Sequence, residues 1–432
     1  MKRTWALMQV RVLLLVLCAL VPLYGQTAAT VKPETVGLSS ERLGRINQLV
    51  ERKIKEGQLV GALTLVARRG KLVHLATAGQ ADAEAGKPLK SDAIFRIYSM
   101  SKPITTVAAM LLYEEGKFQL DDPLWQYLPE FKDVQVAGEN GALVKPKRPI
   151  TVRDLMSHTS GLTYGVFGDT PVDRQYRAAN LLSGDLTLAE FTKKLSALPL
   201  LFQPGEQWNY GVSTDVLGRL VEVLSGSTLD EFMRQRIFKP LGMNDTAFDV
   251  PANKLDRFTV NYQWGMSPFG LVDANAKRVI ADQPGKSRYA RPATFYSGGG
   301  GLVSTVQDYL RFCQMMLNGG TLEGVRLLSP KSVQLMTMDH TAHARKPTAG
   351  VTLGEGAGFG LGFRVVTDAA DHQRLGSLGA YDWAGAASTS FFIDPKEQLI
   401  AIMMTQKMPT DLRLMTEFRT AVYQAIVESN GH

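Results

Sequence analysis

The chain has 432 residues, of which 45% are hydrophobic and 21% charged, so its composition is that of a globular protein with a sizeable core. This length exceeds one ordinary domain and predicts two lobes, or one domain with a large insertion. The formal charge of +7 is interleaved with acidic residues and forms no basic stripe, which argues against a nucleic-acid partner.

The N-terminal segment predicts an exported protein. Residues 1–25 begin with basic residues and continue with an apolar stretch over 12–23. This stretch is shorter than the ~20 residues that span a bilayer, and it fits a secretory signal peptide cleaved between positions 25 and 29. We therefore expect a periplasmic or secreted protein with no membrane span after cleavage. An uncleaved N-terminal anchor is the alternative.

The segment after the leader predicts one helix followed by two strands. In "SSERLGRINQLVERKIKEG", apolar residues recur at helical spacing from Leu43 to Ile54. The stretch "ALTLVARRGKLVHLATAG" predicts two strands joined by a turn at Arg69 and Gly70.

The middle of the chain predicts helices, because strand patterns are sparse and capping boxes open several apolar-periodic segments. The predicted boxes are Thr151 with Asp154, Thr187 with Glu190, and Ser304 with Gln307.

Strand patterns return towards the C-terminus. The segments "GFGLGFRVV", "HQRLGSLG" and "ASTSFFIDPKEQLIAIMMTQ" predict three or more antiparallel strands, with a hairpin turn at 394–397. A final helix is predicted from about Asp411 to Val427.

These elements together predict an α+β fold within the broad α/β class. An antiparallel sheet would be assembled from residues 36–90 and 355–427 and flanked by the terminal helices. A mostly helical lobe over 91–354 would be inserted between the two parts of the sheet. A cleft between the lobes is the expected place for a functional site.

A serine and a lysine lie three residues apart in "FRIYSMSKPITTVAAM". On a helix this spacing puts both side chains on one face, so Lys102 can reach the Ser99 hydroxyl. A serine hydroxyl is a weak nucleophile until a neighbouring base takes its proton, and a desolvated lysine can be that base. The alternative for Ser99 is an N-cap beside a solvated lysine.

Five segments together resemble the serine β-lactamase and penicillin-binding-protein superfamily, in the branch that holds class C β-lactamases and family VIII carboxylesterases. They are "FRIYSMSKP", "ITVRDLMSHTSGLTYG", "FQPGEQWNYGVSTDVLGRLVEVLSG", "YSGGGGLVSTVQDYLRF" and "AGAASTSFFIDPKEQLIAIMMTQ". The resemblance covers about residues 36–427. It implies a β-lactamase/transpeptidase-like fold and a serine hydrolase domain over that range.

The resemblance also implies roles for individual residues. Tyr210 in "WNYGVS" matches the tyrosine that faces the serine and lysine in this branch, where a phenol can share the proton transfer. The backbone N–H groups of Ser99 and Ala386 match the oxyanion hole, which binds the negative oxygen of the tetrahedral intermediate.

Two departures from the β-lactamase pattern favour an esterase. Val212 stands where Tyr-x-Asn has an asparagine that contacts a lactam side chain. The triplet Trp383-Ala384-Gly385 stands where Lys-Thr-Gly has a lysine, so a positive charge for a substrate carboxylate is missing. Aromatic residues are further candidates for lining the pocket: Tyr98, Tyr164, Trp208, Tyr296 and Tyr381.

Other candidate sites are weaker. His158 belongs to the resembling segment "LMSHTSGL", where it is expected to form a turn at a helix end rather than to carry a proton. His340 and His343 are spaced for one helical face but lack a third ligand, so we expect no metal. The run Gly298–Gly301 is expected to form a backbone turn bordering the cleft.

The sequence therefore predicts an exported serine hydrolase that forms an acyl-enzyme on Ser99, with Lys102 and Tyr210 handling the proton and without a cofactor. Its substrate would be a small-molecule ester or amide, with a carboxylesterase on short or medium acyl esters favoured. A class C-like β-lactamase or D-Ala-D-Ala peptidase is one alternative, and a non-catalytic module that senses β-lactams or peptidoglycan is another. The oligomeric state and the natural substrate are not fixed by these patterns.

Overall fold

The structure, a computed structural model, describes residues 30–138, 141–265, 277–347 and 350–430. The predicted signal peptide and its cleavage region lie outside the described residues. Within those ranges, no helix is both long and apolar enough to cross a membrane.

An eight-stranded antiparallel sheet forms the centre of the described chain. Its strands are β1 (Gly61–Arg68), β2 (Lys71–Asp82), β3 (Lys87–Pro88), β4 (Ala357–Phe359), β5 (Arg364–Val366), β6 (Tyr381–Ala384), β7 (Ser390–Asp394) and β8 (Leu399–Thr405). The spatial order is β4-β5-β6-β7-β8-β1-β2-β3. The two ends of the chain therefore meet where β1 pairs with β8, which confirms a sheet assembled from both ends.

The helices are α1 (Ser40–Lys55), α2 (Ser101–Glu114), α3 (Val152–Ser157), α4 (Pro171–Ala179), α5 (Leu188–Leu195), α6 (Ser213–Ser225), α7 (Leu229–Met233), α8 (Lys239–Leu241), α9 (Val306–Leu317), α10 (Pro330–Met336) and α11 (Leu412–Tyr423). Helices α1 and α11 pack on one face of the sheet, and α9 packs on the other. Because both faces are covered, every residue of β1 and β8 is buried.

Short strand pairs connect the helical segments. They are Phe95–Arg96 with Val303–Ser304, Val136–Ala137 with Leu143–Val144, Thr321–Leu322 with Val325–Arg326, and Asn261–Trp264 between Arg278–Asp282 and Lys407–Met408. The pair at Phe95–Arg96 leads directly into the segment that carries Ser99.

Two of the three predicted capping boxes are confirmed. Those of Thr151 and Thr187 are complete, with reciprocal side-chain bonds to the third helical residue. The third prediction was wrong by one residue, because Thr305 is the N-cap of α9 and accepts from the Asp308 N–H. Ser304 instead belongs to a strand, and its hydroxyl bonds to Thr246.

The strand predicted for "HQRLGSLG" is wrong, since residues 372–379 form loops and turns. Gln373 and Gly379 have φ angles of +53° and +77°, which no extended strand accommodates. Leu375 and Leu378 are exposed, so the segment lacks the buried face that a strand pattern implies. The hairpin turn at 394–397 is confirmed between β7 and β8.

Candidate active site

Ser99 lies in a tight turn between a strand and a buried helix. The turn is a short 3-10 segment, Tyr98–Met100, directly before α2. Tyr98 has a φ of +43°, a left-handed conformation that costs about 1–3 kcal/mol outside glycine. Helix α2 behind the turn is buried along most of its length, as the apolar pattern predicted. The surrounding core therefore holds Ser99 at a fixed position.

Lys102 is fully buried in the first turn of α2 and contacts Ser99. Its Nζ lies 3.3 Å from the Ser99 Oγ, 2.9 Å from the Tyr164 hydroxyl and 2.7 Å from the Gly299 carbonyl oxygen. An ammonium has three donors, and these three acceptors match them. The predicted pair is thus in contact, and its catalytic role stays a prediction.

Two phenols lie beside Lys102, and they differ in how they contact it. The Lys102 Nζ lies 4.5 Å from the centroid of the Tyr210 ring, so this contact is with the ring face. In the described part of the chain, no hydrogen bond joins the Tyr210 hydroxyl to Ser99 or Lys102. The phenol that accepts a hydrogen bond from Lys102 is that of Tyr164, which the sequence predicted only as a residue lining the pocket. Burial, with Tyr210 and Asp215 nearby, raises the pKa of Tyr164 well above its usual value. Tyr164 therefore stays a neutral phenol at pH 7.

A buried carboxylate holds the loop that contacts Lys102. Asp215, on α6, accepts hydrogen bonds from the Ser297 hydroxyl and from the Gly299 N–H. Burial raises the pKa of Asp215, and the Lys102 ammonium opposes that rise. A Cβ on Gly299 would lie only 2.5 Å from Asp215 Oδ2, so this close approach requires glycine. The run Gly298–Gly301 borders the cleft, as predicted, and it also supplies the carbonyl that accepts from the lysine.

The residues predicted to form the oxyanion hole face one cavity. The Ser99 N–H lies in the first turn of a helical segment, where no intrahelical acceptor is available. Ala386 follows β6 in a turn closed by the hydrogen bond from the Gly385 N–H to the Thr389 carbonyl, 2.8 Å long. A Cβ on Gly385 would lie 2.4 Å from the Ile97 carbonyl oxygen. Only glycine therefore allows this turn to approach the nucleophile segment so closely.

The cavity beside Ser99 has a volume of about 540 Å³. It is lined by several predicted site residues: Tyr98, Ser99, Tyr210, Trp383, Ala384, Gly385 and Ala386. The Trp383 ring lies 5.3 Å from that of Tyr210, so the residue that the sequence matched to the β-lactamase lysine brings an indole to the cavity. Val212 and Tyr381, also predicted for this site, are 2% and 1% exposed and belong to the hydrophobic core rather than to the cavity wall.

His158 forms the end of α3, as predicted. Its φ of +57° ends the helix, and its imidazole is buried against the ring of Tyr210, 5.2 Å away. Burial, together with the positive charge of Lys102, lowers the pKa of His158 well below its usual value. This neutral ring packs behind Tyr210 and makes no contact with Ser99 that would let it take the proton.

A family model described as Beta-lactamase matches residues 46–424. The chain belongs to the beta-lactamase family. Among its relatives, Protein Rv1367c of Mycobacterium tuberculosis is 39% identical over 363 residues, which cover 82% of this chain and 87% of that protein. Esterase EstB of Burkholderia gladioli is 31% identical over 391 residues, which cover 88% and 94%.

Solved structures agree with this family. EstCE1, described as a hydrolase with promiscuous acyltransferase activity, superposes with a TM-score of 0.76 at 28% identity and covers 89% of this chain and 99% of its own. The predicted superfamily and the β-lactamase/transpeptidase-like fold are therefore confirmed. This beta-lactamase-family protein is a hydrolase of the serine type.

Proposed function

We propose that this protein is an exported carboxylesterase that forms an acyl-enzyme on Ser99 and acts on short or medium acyl esters. The observation that carries the proposal is the 3.3 Å contact between Lys102 Nζ and Ser99 Oγ beside a largely apolar cavity. A hydroxyl becomes nucleophilic when a neighbouring group accepts its proton, and a buried amine in contact with it is suited to that task.

In the proposed reaction, Lys102 acts in its neutral amine form: the Ser99 oxygen forms a bond to the ester carbonyl carbon while its proton moves to the Lys102 Nζ, which becomes an ammonium. The carbonyl oxygen becomes an oxyanion that accepts hydrogen bonds from the N–H groups of Ser99 and Ala386. Collapse of this intermediate breaks the bond to the alcohol oxygen, which takes up the proton. Water then attacks the acyl-enzyme and releases the acid. Tyr164 and Tyr210 would relay the proton beside Lys102.

The chemistry of the cleft supports an ester over a β-lactam. Trp383 replaces the lysine that β-lactamases use, and its indole packs against Tyr210 instead of presenting a charge. Val212 lacks the asparagine amide of the β-lactamase pattern and is buried. The relatives EstB and EstCE1 are named as an esterase and as a hydrolase with acyltransferase activity, which supports the same substrate class.

A three-substrate assay tests the proposal. The purified protein is incubated with p-nitrophenyl butyrate, a chromogenic cephalosporin and a D-Ala-D-Ala peptide. We expect ester turnover, and a loss of at least about 10³-fold in Ser99→Ala, since the nucleophile has no substitute. Ser183→Ala, which changes an exposed serine, is the matched control and should retain wild-type turnover.

Other results would contradict the proposal in distinct ways. Ester turnover that survives Ser99→Ala would exclude the mechanism. Rapid cephalosporin cleavage with negligible ester cleavage would indicate a β-lactamase, and D-alanine release a peptidase. Stable acylation without turnover would indicate a sensor. Export is tested separately by fractionating cells that express the full chain or a variant without residues 1–25, because only the former should leave the cytoplasm.

A further inference from the structure

The cavity that contains Ser99 extends beyond the predicted oxyanion hole. Its lining also includes residues of strands β6 and β7 and of helix α11. Four of these lining residues are apolar: Phe392, Leu412, Met415 and Phe418. A substrate that fills the whole cavity would therefore place an apolar segment against these residues.

Three arginines that line this cavity lie near Asp382, a residue of β6 four positions before Ala386, and we call this part of the cavity its outer end. Arg364 donates two hydrogen bonds to Asp382, of 2.8 and 2.7 Å, and Arg419 donates a further one of 2.6 Å. Arg374 lines the same cavity and is half-buried. Across the described ranges, its side chain makes neither an ion pair nor a hydrogen bond. One carboxylate, that of Asp382, thus lies near three guanidinium groups and is bonded to only two of them.

The neighbouring titratable groups Asp394 and His372 do not provide a negatively charged partner for Arg374. Asp394, at the end of β7, already accepts hydrogen bonds from the Ser377 N–H and the Tyr423 hydroxyl. His372 is 5% exposed, and neither of its ring nitrogens has a partner among the described residues. Burial and the neighbouring arginines lower the pKa of His372 to about 4, so the ring is neutral at pH 7. Burial and the charge of Arg364 likewise lower the pKa of Arg374.

From this arrangement we infer that the outer end of the cavity is a carboxylate-binding subsite with Arg374 as its principal ligand. The inference rests on the proposed esterase function and narrows its substrate. The substrate is an ester whose acid or alcohol portion ends in a carboxylate, joined to the scissile bond by an apolar segment. An unpaired guanidinium presents a planar fork that binds a carboxylate through two hydrogen bonds. A bound carboxylate would also neutralise the half-buried charge of Arg374, whose desolvation costs free energy as long as the charge has no partner.

The replacement of the β-lactamase lysine by Trp383 is consistent with a carboxylate subsite at Arg374. With Trp383 in place of the lysine, no side-chain charge of the triplet lies beside the nucleophile. A substrate carboxylate is then recognised further from Ser99, at Arg374. The positive charge that the triplet lacks is thus provided by another residue that lines the same cavity.

Matched ester pairs test the subsite. The first arm compares p-nitrophenyl monoesters of glutaric, adipic and suberic acid with p-nitrophenyl esters of fatty acids of equal length. The second compares butyrate esters of 4-hydroxybutanoate and 6-hydroxyhexanoate with butyl and hexyl butyrate. The readout is the ratio of kcat/KM for the charged ester to that for its neutral partner, and the arm with the higher ratio shows which portion carries the carboxylate.

We expect a ratio above one in one arm, which falls about tenfold or more in Arg374→Gln, as expected for the loss of a hydrogen bond between charged groups. Arg374→Lys keeps the charge without the fork and should give an intermediate ratio. Arg413→Gln is the matched control, because it removes an exposed arginine of α11 that does not line the cavity, and it should keep the wild-type ratio. Thermal unfolding checks that each variant is folded.

A preference for the neutral ester in both arms would overturn the subsite, as would a wild-type ratio in Arg374→Gln. Failure to hydrolyse any ester would count against the proposed function instead. The subsite is then tested alone by calorimetric titration of adipate into the wild type and Arg374→Gln. Adipate binding that weakens about tenfold or more in the variant would support the subsite, and equal or absent binding would overturn it.

Discussion

The close approach of Gly385 to the nucleophile segment allows a test of the oxyanion hole without deleting a main-chain donor. A Cβ at this position would lie 2.3 Å from Thr389 Oγ1 and 2.4 Å from the Ile97 carbonyl oxygen. Ordinary contacts begin at 3.4 Å. The Ile97 carbonyl belongs to buried backbone and cannot rotate away, so in Gly385→Ala the turn that carries Ala386 must move by about 1 Å.

The expected effect on catalysis is larger than the effect on stability. Overpacking of this kind costs about 1–3 kcal/mol of the free energy of unfolding. A displacement of about 1 Å in a catalytic donor typically costs about 10²-fold in rate, and complete loss of one oxyanion donor costs about 10²–10³-fold in kcat. We therefore expect kcat for p-nitrophenyl butyrate to fall about 10²-fold in Gly385→Ala with little change in KM, because the donor acts mainly on the transition state.

Steady-state kinetics and thermal unfolding of the same preparations check this prediction. Gly44→Ala is the control, since an added Cβ on this residue of α1 meets no atom within 4 Å. It should keep wild-type kinetics and be slightly more stable, by about 0.5–1 kcal/mol. A folded Gly385→Ala variant whose kcat stays within about threefold of wild type would refute the placement of the oxyanion hole at Ala386.

Four further predictions concern the groups around the site. Lys102→Ala should abolish the acylation burst while the variant stays folded, and an unchanged burst would point to Tyr210 as the sole base. Tyr164→Phe and Tyr210→Phe should each lower kcat, by up to about 10²-fold for the phenol that carries the proton; a loss confined to Tyr164→Phe would show that Tyr210 is not that phenol. Asp215→Ala leaves two buried donors without an acceptor and should lower the free energy of unfolding by about 2–6 kcal/mol in chemical denaturation, whereas Asp215→Asn should cost less. Burial raises the pKa of Asp382, but Arg364 and Arg419 outweigh burial and lower it to about 2. Because this folded-state pKa lies below the unfolded value, the stabilisation is present above pH ~4 and is lost as the pH falls towards 2. Acid unfolding should therefore remove about 2 kcal/mol from the wild type that Asp382→Asn does not lose.

Local signals predicted the elements that depend on neighbouring residues. Apolar periodicity identified α1 and α11, and turn residues identified the hairpin between β7 and β8. The errors arose where two local signals competed. Thr305 and Ser304 are both good capping residues, and only the strand pairing of Ser304 decides between them. In 372–379 the apolar residues suggested a strand, but positive φ angles at Gln373 and Gly379 end any extended run.

The site was predictable where its parts are close in sequence. Ser99 and Lys102 are three residues apart, so one helical turn brings them together. Tyr164 and Gly299, the other partners of Lys102, are 62 and 197 residues away along the chain, and no local pattern encodes that distance. Val212 and Tyr381 lie next to motif residues in sequence and were predicted to line the site, but both are buried in the core. Closeness to a motif in sequence therefore does not decide which way a side chain points.

The central claim, that Ser99 becomes covalently acylated, is tested most directly by trapping the intermediate. Protein mixed with p-nitrophenyl butyrate is quenched in acid during the first turnovers, digested and analysed by peptide mass spectrometry. We predict a butyryl group on the peptide that contains Ser99, localised to that side chain by fragmentation and absent from Ser99→Ala. Ester turnover with no acylated peptide, or with the butyryl group on another residue, would contradict the account.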